Sequence, residues 1–274
     1  MSLRVPIAPM DTPSIRDFLA QHQETFENHE SKYNILLGLS HRIRKARLKK
    51  GFRLFSFGSR PGAAALQMDG RNLVLGDLTP EECAKLASFY SDLDYPGVIG
   101  PDSVADWFVQ SAGSAHFHAP TDMGIFELKG SPKKPPVPGN FERSDDIYRV
   151  VKWLTAFHEE VEGREFGARD KEDLRQRAEH SPFFFWMMDA SPVAMAAIVR
   201  EGKKGATIGA VYVPKEERGH RYGEAVVASV GDEILRRGKE FSSLYADMAN
   251  PAANKIYERI GYQLLCHSKT YRRK

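Results

Sequence analysis

The segment Arg218-Gly219-His220-Arg221-Tyr222-Gly223 crowds cationic side chains and two glycines into one turn. A diphosphate is held best by several backbone N–H groups converging on it amid positive charge. A helix N-terminus supplies unpaired N–H groups and the positive end of the helix dipole. Glycine lets backbone approach closely and adopt positive φ. Glu224, just inside the helix that follows, would repel an anion unless it points away. The turn is not a P-loop, because no Gly-Lys-Ser or Gly-Lys-Thr is present, and it is not a G-x-G-x-x-G fingerprint. Further on, Asn250-Pro251 opens a second helix that carries Tyr257. A phenol with an ordinary pKa of about 10 stays protonated at neutral pH and can donate a proton. Alternatively, Tyr257 is a packed core aromatic and Asn250 only a helix cap.

The elements that position these groups follow from periodicity. Val211-Tyr212-Val213-Pro214 ends an apolar strand before the turn, and the helix from about Tyr222 to Arg237 turns Val226, Val227, Val230 and Ile234 to one face. A strand over 243–248 leads to Asn250, a favourable N-cap, with Pro251 at N1 and Gly261 at the C′ position. Ala253, Ile256, Tyr257 and Ile260 share a face of that short helix. Upstream, 145–160 and 171–179 read as helices. Phe183–Met188 reads as a buried strand, and the strands 192–200 and 207–213 form a hairpin around Glu201-Gly202-Lys203-Lys204-Gly205.

The segment Ser131-Pro132-Lys133-Lys134-Pro135-Pro136-Val137-Pro138-Gly139 excludes helix and reads as a linker between nearly equal halves. Before it, helices fit 14–27 and 31–49, and strands fit 52–57, 63–68 and 72–75. Helices 80–92 and 103–110 and strands 115–118 and 124–128 follow. The two halves share an order of elements, which suggests a structural duplication. Gly76-Asp77-Leu78-Thr79-Pro80-Glu81 is a plain helix start without the glycine-rich turn.

Composition sets wider bounds. A hydrophobic fraction of 42% and a net charge of +3 describe an ordinary soluble protein and do not imply nucleic acid. No apolar run approaches the roughly 18–20 residues that span a bilayer, and Met-Ser-Leu-Arg-Val-Pro lacks the pattern of a signal peptide. A cytoplasmic location and no membrane partner are therefore expected. Cys83 and Cys266 form no metal or disulfide pattern. The basic run His41–Lys50 reads as the cationic end of a helix whose apolar side holds Leu36, Leu39, Ile43 and Ala46. Its other reading is an RNA- or phosphate-contacting patch.

Taken together, the residues resemble the GNAT superfamily of acyl-CoA-dependent N-acyltransferases. The superfamily's cofactor motif is Gln/Arg-x-x-Gly-x-Gly/Ala after a strand. Arg218 and Gly223 match its ends, while Arg221 stands where the motif has glycine. If the turn needs positive φ there, a non-glycine residue costs on the order of 1 kcal/mol. Asn250, Ala253, Ile256, Tyr257, Gly261 and Tyr262 match the downstream pattern. The resemblance spans Phe141 to Arg273. Asp247-Met248-Ala249-Asn250-Pro251 with Asn254 is similar to two-domain bacterial predicted acetyltransferases with a degenerate N-terminal GNAT-like half.

The resemblance implies an α/β (α+β) fold of two GNAT-like domains, each a mixed, mostly antiparallel sheet flanked by helices. Residues 1–130 would be the degenerate domain, 131–140 the linker and 141–274 the catalytic acetyltransferase domain. Acetyl-CoA would be the co-substrate, with no metal. It would be held by Val211, Tyr212, Val213, Arg218, Gly219, His220, Arg221, Tyr222, Gly223, Asn250 and Asn254. An amine of a small molecule or peptide would attack directly in a ternary complex, and Tyr257 would protonate the departing thiolate. Glu160 and Asp247 are candidate bases, with Glu159, Glu165 and water as alternatives. The acidic stretch 158–165 would suit a cationic amine, and Phe183-Phe184-Phe185-Trp186 either lines an acceptor pocket or is a buried strand. The other function class is a non-catalytic CoA-binding module that acts through protein partners. Oligomeric state, including a homodimer, stays open.

Overall fold

The computed structural model describes residues 13–274, so the reading of the first six residues lies outside the described residues. The chain forms two compact units. Unit 1 comprises residues through Ile125, Asp247–Ala249 and Leu265–Lys274; unit 2 comprises Phe126–Ala246 and Asn250–Leu264. Among the described residues, no helix is long and apolar enough to cross a membrane.

Unit 1 begins with helices α1 (Ile15–Asn28) and α2 (Glu30–Lys45), followed by strands β1 (Phe52–Ser56), β2 (Ala64–Met68) and β3 (Leu73–Leu75). Helix α3 (Pro80–Phe89), strand β4 (Gly97–Pro101), helix α4 (Asp102–Ala112) and strand β5 (Thr121–Lys129) come next. Strand β1 pairs antiparallel with β2, β2 antiparallel with β3, and β3 parallel with β4. One sheet face packs Phe18, Phe26, Leu36 and Ile43 from α1 and α2 against Leu54 and Leu66. The other packs Leu86 and Phe108, from α3 and α4, against Phe55, Leu73 and Leu75.

Unit 2 contains strand β6 (Asn140–Ser144), helices α5 (Ile147–Glu162) and α6 (Ala168–His180), and strands β7 (Phe183–Met188), β8 (Ser191–Glu201) and β9 (Gly205–Tyr212). Helix α7 (Tyr222–Arg236), strand β10 (Phe241–Asp247), helix α8 (Pro251–Ile260) and strand β11 (Gln263–Arg272) complete the chain. Strands β6, β7, β8 and β9 pair antiparallel in succession, and β9 pairs parallel with β10. The succession antiparallel, antiparallel, parallel thus occurs in both units, as a duplication requires. Helices α5 and α6 cover one sheet face with Val150, Trp153, Leu154 and Leu174, against Phe183, Phe185, Met195 and Ala197. On α7, Val226, Val227, Val230 and Ile234 are all buried. The run Phe183–Phe185 is buried strand, since both of its faces are covered.

Several sequence-based boundaries need correction. The units do not divide at one cut: β11 supplies the antiparallel partner of β4, from Ser268–Pro101 to Arg272–Gly97, so the terminal strand belongs to unit 1. Residues 131–139 pack on unit 2, where the Lys133 N–H donates to the Ile260 carbonyl (2.8 Å) and the Trp186 indole donates to the Pro138 carbonyl (2.9 Å). The expected strand at 115–118 is a 3₁₀ turn, Ser114–His116, followed by a single bridge from Phe117 to Arg273. Helix α2 stops at Lys45, short of Lys49; Ala46 is exposed and Arg47 takes a φ of 51°. The basic run therefore straddles a helix end and a loop.

Candidate active site

The site starts from a break in the sheet. The parallel ladder between β9 and β10 runs from Gly205–Phe241 to Ile208–Leu244 and ends there, although both strands continue. Pairing between β8 and β9 advances two residues from Met195 to Ala197 and three from Tyr212 to Gly209, so β9 holds an extra residue. Within that bulge Ala210 has a φ of 53°. A bulge bends its strand and ends regular pairing, which is how β9 is steered away from β10. The left-handed conformation of an alanine costs roughly 1–2 kcal/mol, so packing must hold it in place.

Past the bulge, an open cavity of about 550 Å³ is lined by Val211, Tyr212 and Val213 of this segment. Arg218, Gly219, Arg221, Tyr222 and Gly223 form its next wall. Gly219 has a φ of 89°, and Arg221, the N-cap of α7, sits at φ 64° and ψ 16°. The positive φ expected where the motif has glycine is therefore present, carried by an arginine. Among the described residues, no side chain caps α7. Its first N–H groups lack intrahelical acceptors by geometry, and the residues bearing them line the cavity. A Cβ on Gly223 would lie 3.2 Å from Val213 Cγ2, so a larger residue would crowd the turn against β9.

The arginines of the turn are engaged by protein groups. Arg218 donates from Nε to the Val213 carbonyl (3.0 Å) and from Nη2 to Glu160 Oε2 (2.7 Å). Arg221 donates from Nε and Nη2 to the two carboxylate oxygens of Glu224, at 3.1 and 2.5 Å. The Arg221 guanidinium therefore faces Glu224. Glu224 is no obstacle to an anion, because Arg259 also donates to its Oε2 at 3.1 and 3.0 Å. Burial opposes its ionisation, but hydrogen bonds from Arg221 and Arg259 more than offset this and hold its carboxyl below the usual range.

The opposite wall is α8. Asn250 Oδ1 accepts from the Ala253 N–H (3.1 Å), the expected cap, and Pro251 and Gly261 occupy the expected ends. Asn250, Ala252, Ala253, Ile256 and Tyr257 line the cavity. Tyr257 is 9% exposed and packs its ring against Phe126 and Tyr262 at 6.2 and 6.3 Å. Burial pushes its hydroxyl up to about 12. It is therefore both packed and at the cavity wall, and its proton is retained at neutral pH.

Of the carboxylates read as candidate bases, Glu160 of α5 lines the cavity and also accepts from the Tyr212 hydroxyl at 3.4 Å. Burial, followed by the Glu160 charge, raises the pKa of that hydroxyl. Asp247, Glu159 and Glu165 are not among the lining residues. The Asp247 carboxylate accepts from the Ala249 N–H (2.9 Å), and that of Glu159 accepts from the Phe166 N–H (2.8 Å). His220 and Asn254 also lie outside the lining: the His220 ring stacks on Tyr222, and Asn254 is buried within α8. Sequence reading missed Phe157, Val161 and Glu217 as lining residues. Phe157 lies within the helix read over 145–160, which was its only signal. Among the described residues, no cluster suited to a metal ion occurs.

The region is similar to known proteins at the level of family model and fold. A family model described as FR47-like protein matches residues 187–272. No curated protein sequence matches. A solved Drosophila protein superposes with a TM-score of 0.69 at 12% identity, covering 97% of this chain and 98% of its own. An acetyltransferase from the GNAT family, from Colwellia psychrerythraea, gives 0.59 at 14% identity, covering 97% and 100%. A tandem GNAT protein from the clavulanic acid biosynthesis pathway gives 0.53 at 14%, covering 81% and 82%. At these identities the likeness is one of fold: this chain has the two-domain GNAT fold, and the resemblance read from residues 218–262 is borne out at that level.

Proposed function

We propose that unit 2 transfers an acetyl group from acetyl-CoA to a primary amine, by direct attack in a ternary complex. One observation carries the reading: a single cavity joins an uncapped helix N-terminus, a parted pair of strands and a buried phenol. The residues suit the donor. Backbone N–H groups at Tyr222 and Gly223 would meet the diphosphate, and the dipole of a 15-residue helix would favour its charge. Val211 and Val213 would hold the pantetheine arm and aim an N–H at the thioester oxygen as charge develops there. Holding donor and amine together supplies much of the acceleration.

Tyr257 serves as the acid. Its hydroxyl gives a proton to the departing thiolate, and burial keeps that proton in place until the thiolate forms. Glu160 is the assigned base. Its Oε2 is taken by Arg218, so Oε1, which accepts the long contact from Tyr212, is the atom that receives the ammonium proton. The acceptor is the amine of a small molecule or peptide; Phe157, Val161 and Ile256 would face its apolar part.

The test is release of free CoA thiol from acetyl-CoA across a panel of amines. The expected result is amine-dependent release that Tyr257→Phe lowers at least about 100-fold, with acetyl-CoA affinity retained. Undiminished turnover in Tyr257→Phe would remove Tyr257 as the acid. Absence of turnover with tight CoA binding would favour a non-catalytic CoA-binding module.

A further inference from the structure

Glu224 is the least expected group near the cavity: a carboxylate 2% exposed, in the first turn of the helix assigned to an anion. It accepts two hydrogen bonds from Arg221 and two from Arg259. Those arginines belong to different walls of the site. Arg221 is the left-handed residue of the donor turn. Arg259 lies two residues past Tyr257 on α8, whose other face presents Asn250, Ala253, Ile256 and Tyr257 to the cavity. Two guanidiniums on one carboxylate also leave a net positive charge beside the turn, so the acid does not spoil the field that a diphosphate needs.

We propose that Glu224 is a positioning residue that clamps the donor turn to α8, so that diphosphate site and phenol are held as one unit. The inference rests on the donor reading above. It also accounts for the departure at position 221. A glycine there would take the same φ without strain but could not be tied to α8. The arginine accepts an unfavourable backbone conformation and in exchange supplies the guanidinium that Glu224 grips. Charged, multiply hydrogen-bonded contacts of this kind are geometrically restrictive. Fixed geometry is what a reaction relying on proximity requires.

The experiment is a double-mutant cycle on the full chain, with CoA dissociation constants by calorimetry and Tm recorded in parallel. Arg259 does not line the cavity, so a merely structural role would lower Tm and leave CoA affinity unchanged. The clamp instead predicts that Arg259→Ala weakens CoA binding by about tenfold, the usual scale of coupling within one ion-pair network. It further predicts that the same substitution has no added effect in a Glu224→Ala background. Glu224→Gln, which keeps volume and one acceptor oxygen, should retain part of the affinity, and it replaces Glu224→Ala in the cycle if that variant does not fold. Equal losses in both backgrounds, or a Tm drop without a change in affinity, overturns the clamp and leaves the donor reading standing. Failure of the unsubstituted protein to bind CoA overturns the donor reading and the clamp with it.

Discussion

Helices α3 and α7 occupy matching places in the two units, each lying between the strands of the parallel pair, and both carry glutamate at the third helical position. They use it in opposite ways. In α3, Thr79 accepts from the Glu82 N–H (3.3 Å) while the Glu82 carboxylate accepts from the Thr79 N–H (2.8 Å), a closed capping box with Pro80 at N1. Arg60 then bridges the Glu82 carboxylate and the Asp77 carbonyl. The donors and charges at that helix start are consumed by the protein itself. In α7, Glu224 turns away to Arg221 and Arg259, the N-cap is a left-handed arginine, and no side chain among the described residues caps the helix. The same local architecture is closed in unit 1 and left open in unit 2. Satisfied N–H groups stabilise a helix; unsatisfied ones beside a cavity are available to an anion.

The contrast can be broken or sharpened by substitution. The largest effect expected is in turnover: Tyr257→Phe should lower kcat about 100-fold or more. Tyr90→Phe, at a buried phenol of unit 1 that donates to Gln67, should leave kcat unchanged. Next, Gly223→Val at the second position of α7 forces a side chain against Val213 and should raise the acetyl-CoA KM about tenfold, in keeping with overpacking costs. Glu81→Ala, at the same position of α3, should leave KM unaltered. A smaller effect is expected in stability alone. Glu82→Ala removes half of the capping box and should cost about 1 kcal/mol by denaturant titration, with acetyl-CoA binding retained.

A separate effect is a pH dependence of stability carried by His22 of unit 1. His22 is fully buried; its Nδ1 accepts from the Gly62 N–H (3.2 Å), so its Nε2 donates to Ser56 Oγ (2.9 Å) and the ring is neutral. Burial lowers its pKa from 6.5 to about 4. The folded state thus binds this proton less readily than the unfolded state. The stabilisation is complete above pH 6.5 and is lost as pH falls towards 4. Thermal melts across that window should show falling Tm in the natural chain and a flatter profile in His22→Gln.

Much of this was legible in the sequence where one residue dictates local geometry. Asn250, Pro251 and Gly261 bounded α8, and the Arg218–Gly223 turn announced an unusual helix start. The positive φ of Arg221 was legible only through the motif's glycine. Elements without a periodic signature were lost: β6 is five mostly polar residues on an edge, and β4 is a Gly-Val-Ile-Gly-Pro run too short for alternation to register. The pairing of β11 with β4 joins residues far apart in the chain, which no local pattern encodes. For the same reason the pairing of Glu160 with Arg218 and the reach of Arg259 to Glu224 were invisible, although each is made by an ordinary surface-type residue. Periodicity reports which face is buried; it does not report which distant side chain meets it.

On the proposed function, the start of α7, and not that of α3, receives the donor's diphosphate. Amide hydrogen exchange with and without acetyl-CoA tests it directly, because a bound phosphate protects the N–H groups it accepts from. Acetyl-CoA should slow exchange at Tyr222, Gly223 and Glu224 and leave Glu81, Glu82 and Cys83 unchanged. Protection at 81–83, or none at 222–224 under saturating acetyl-CoA, would contradict the account.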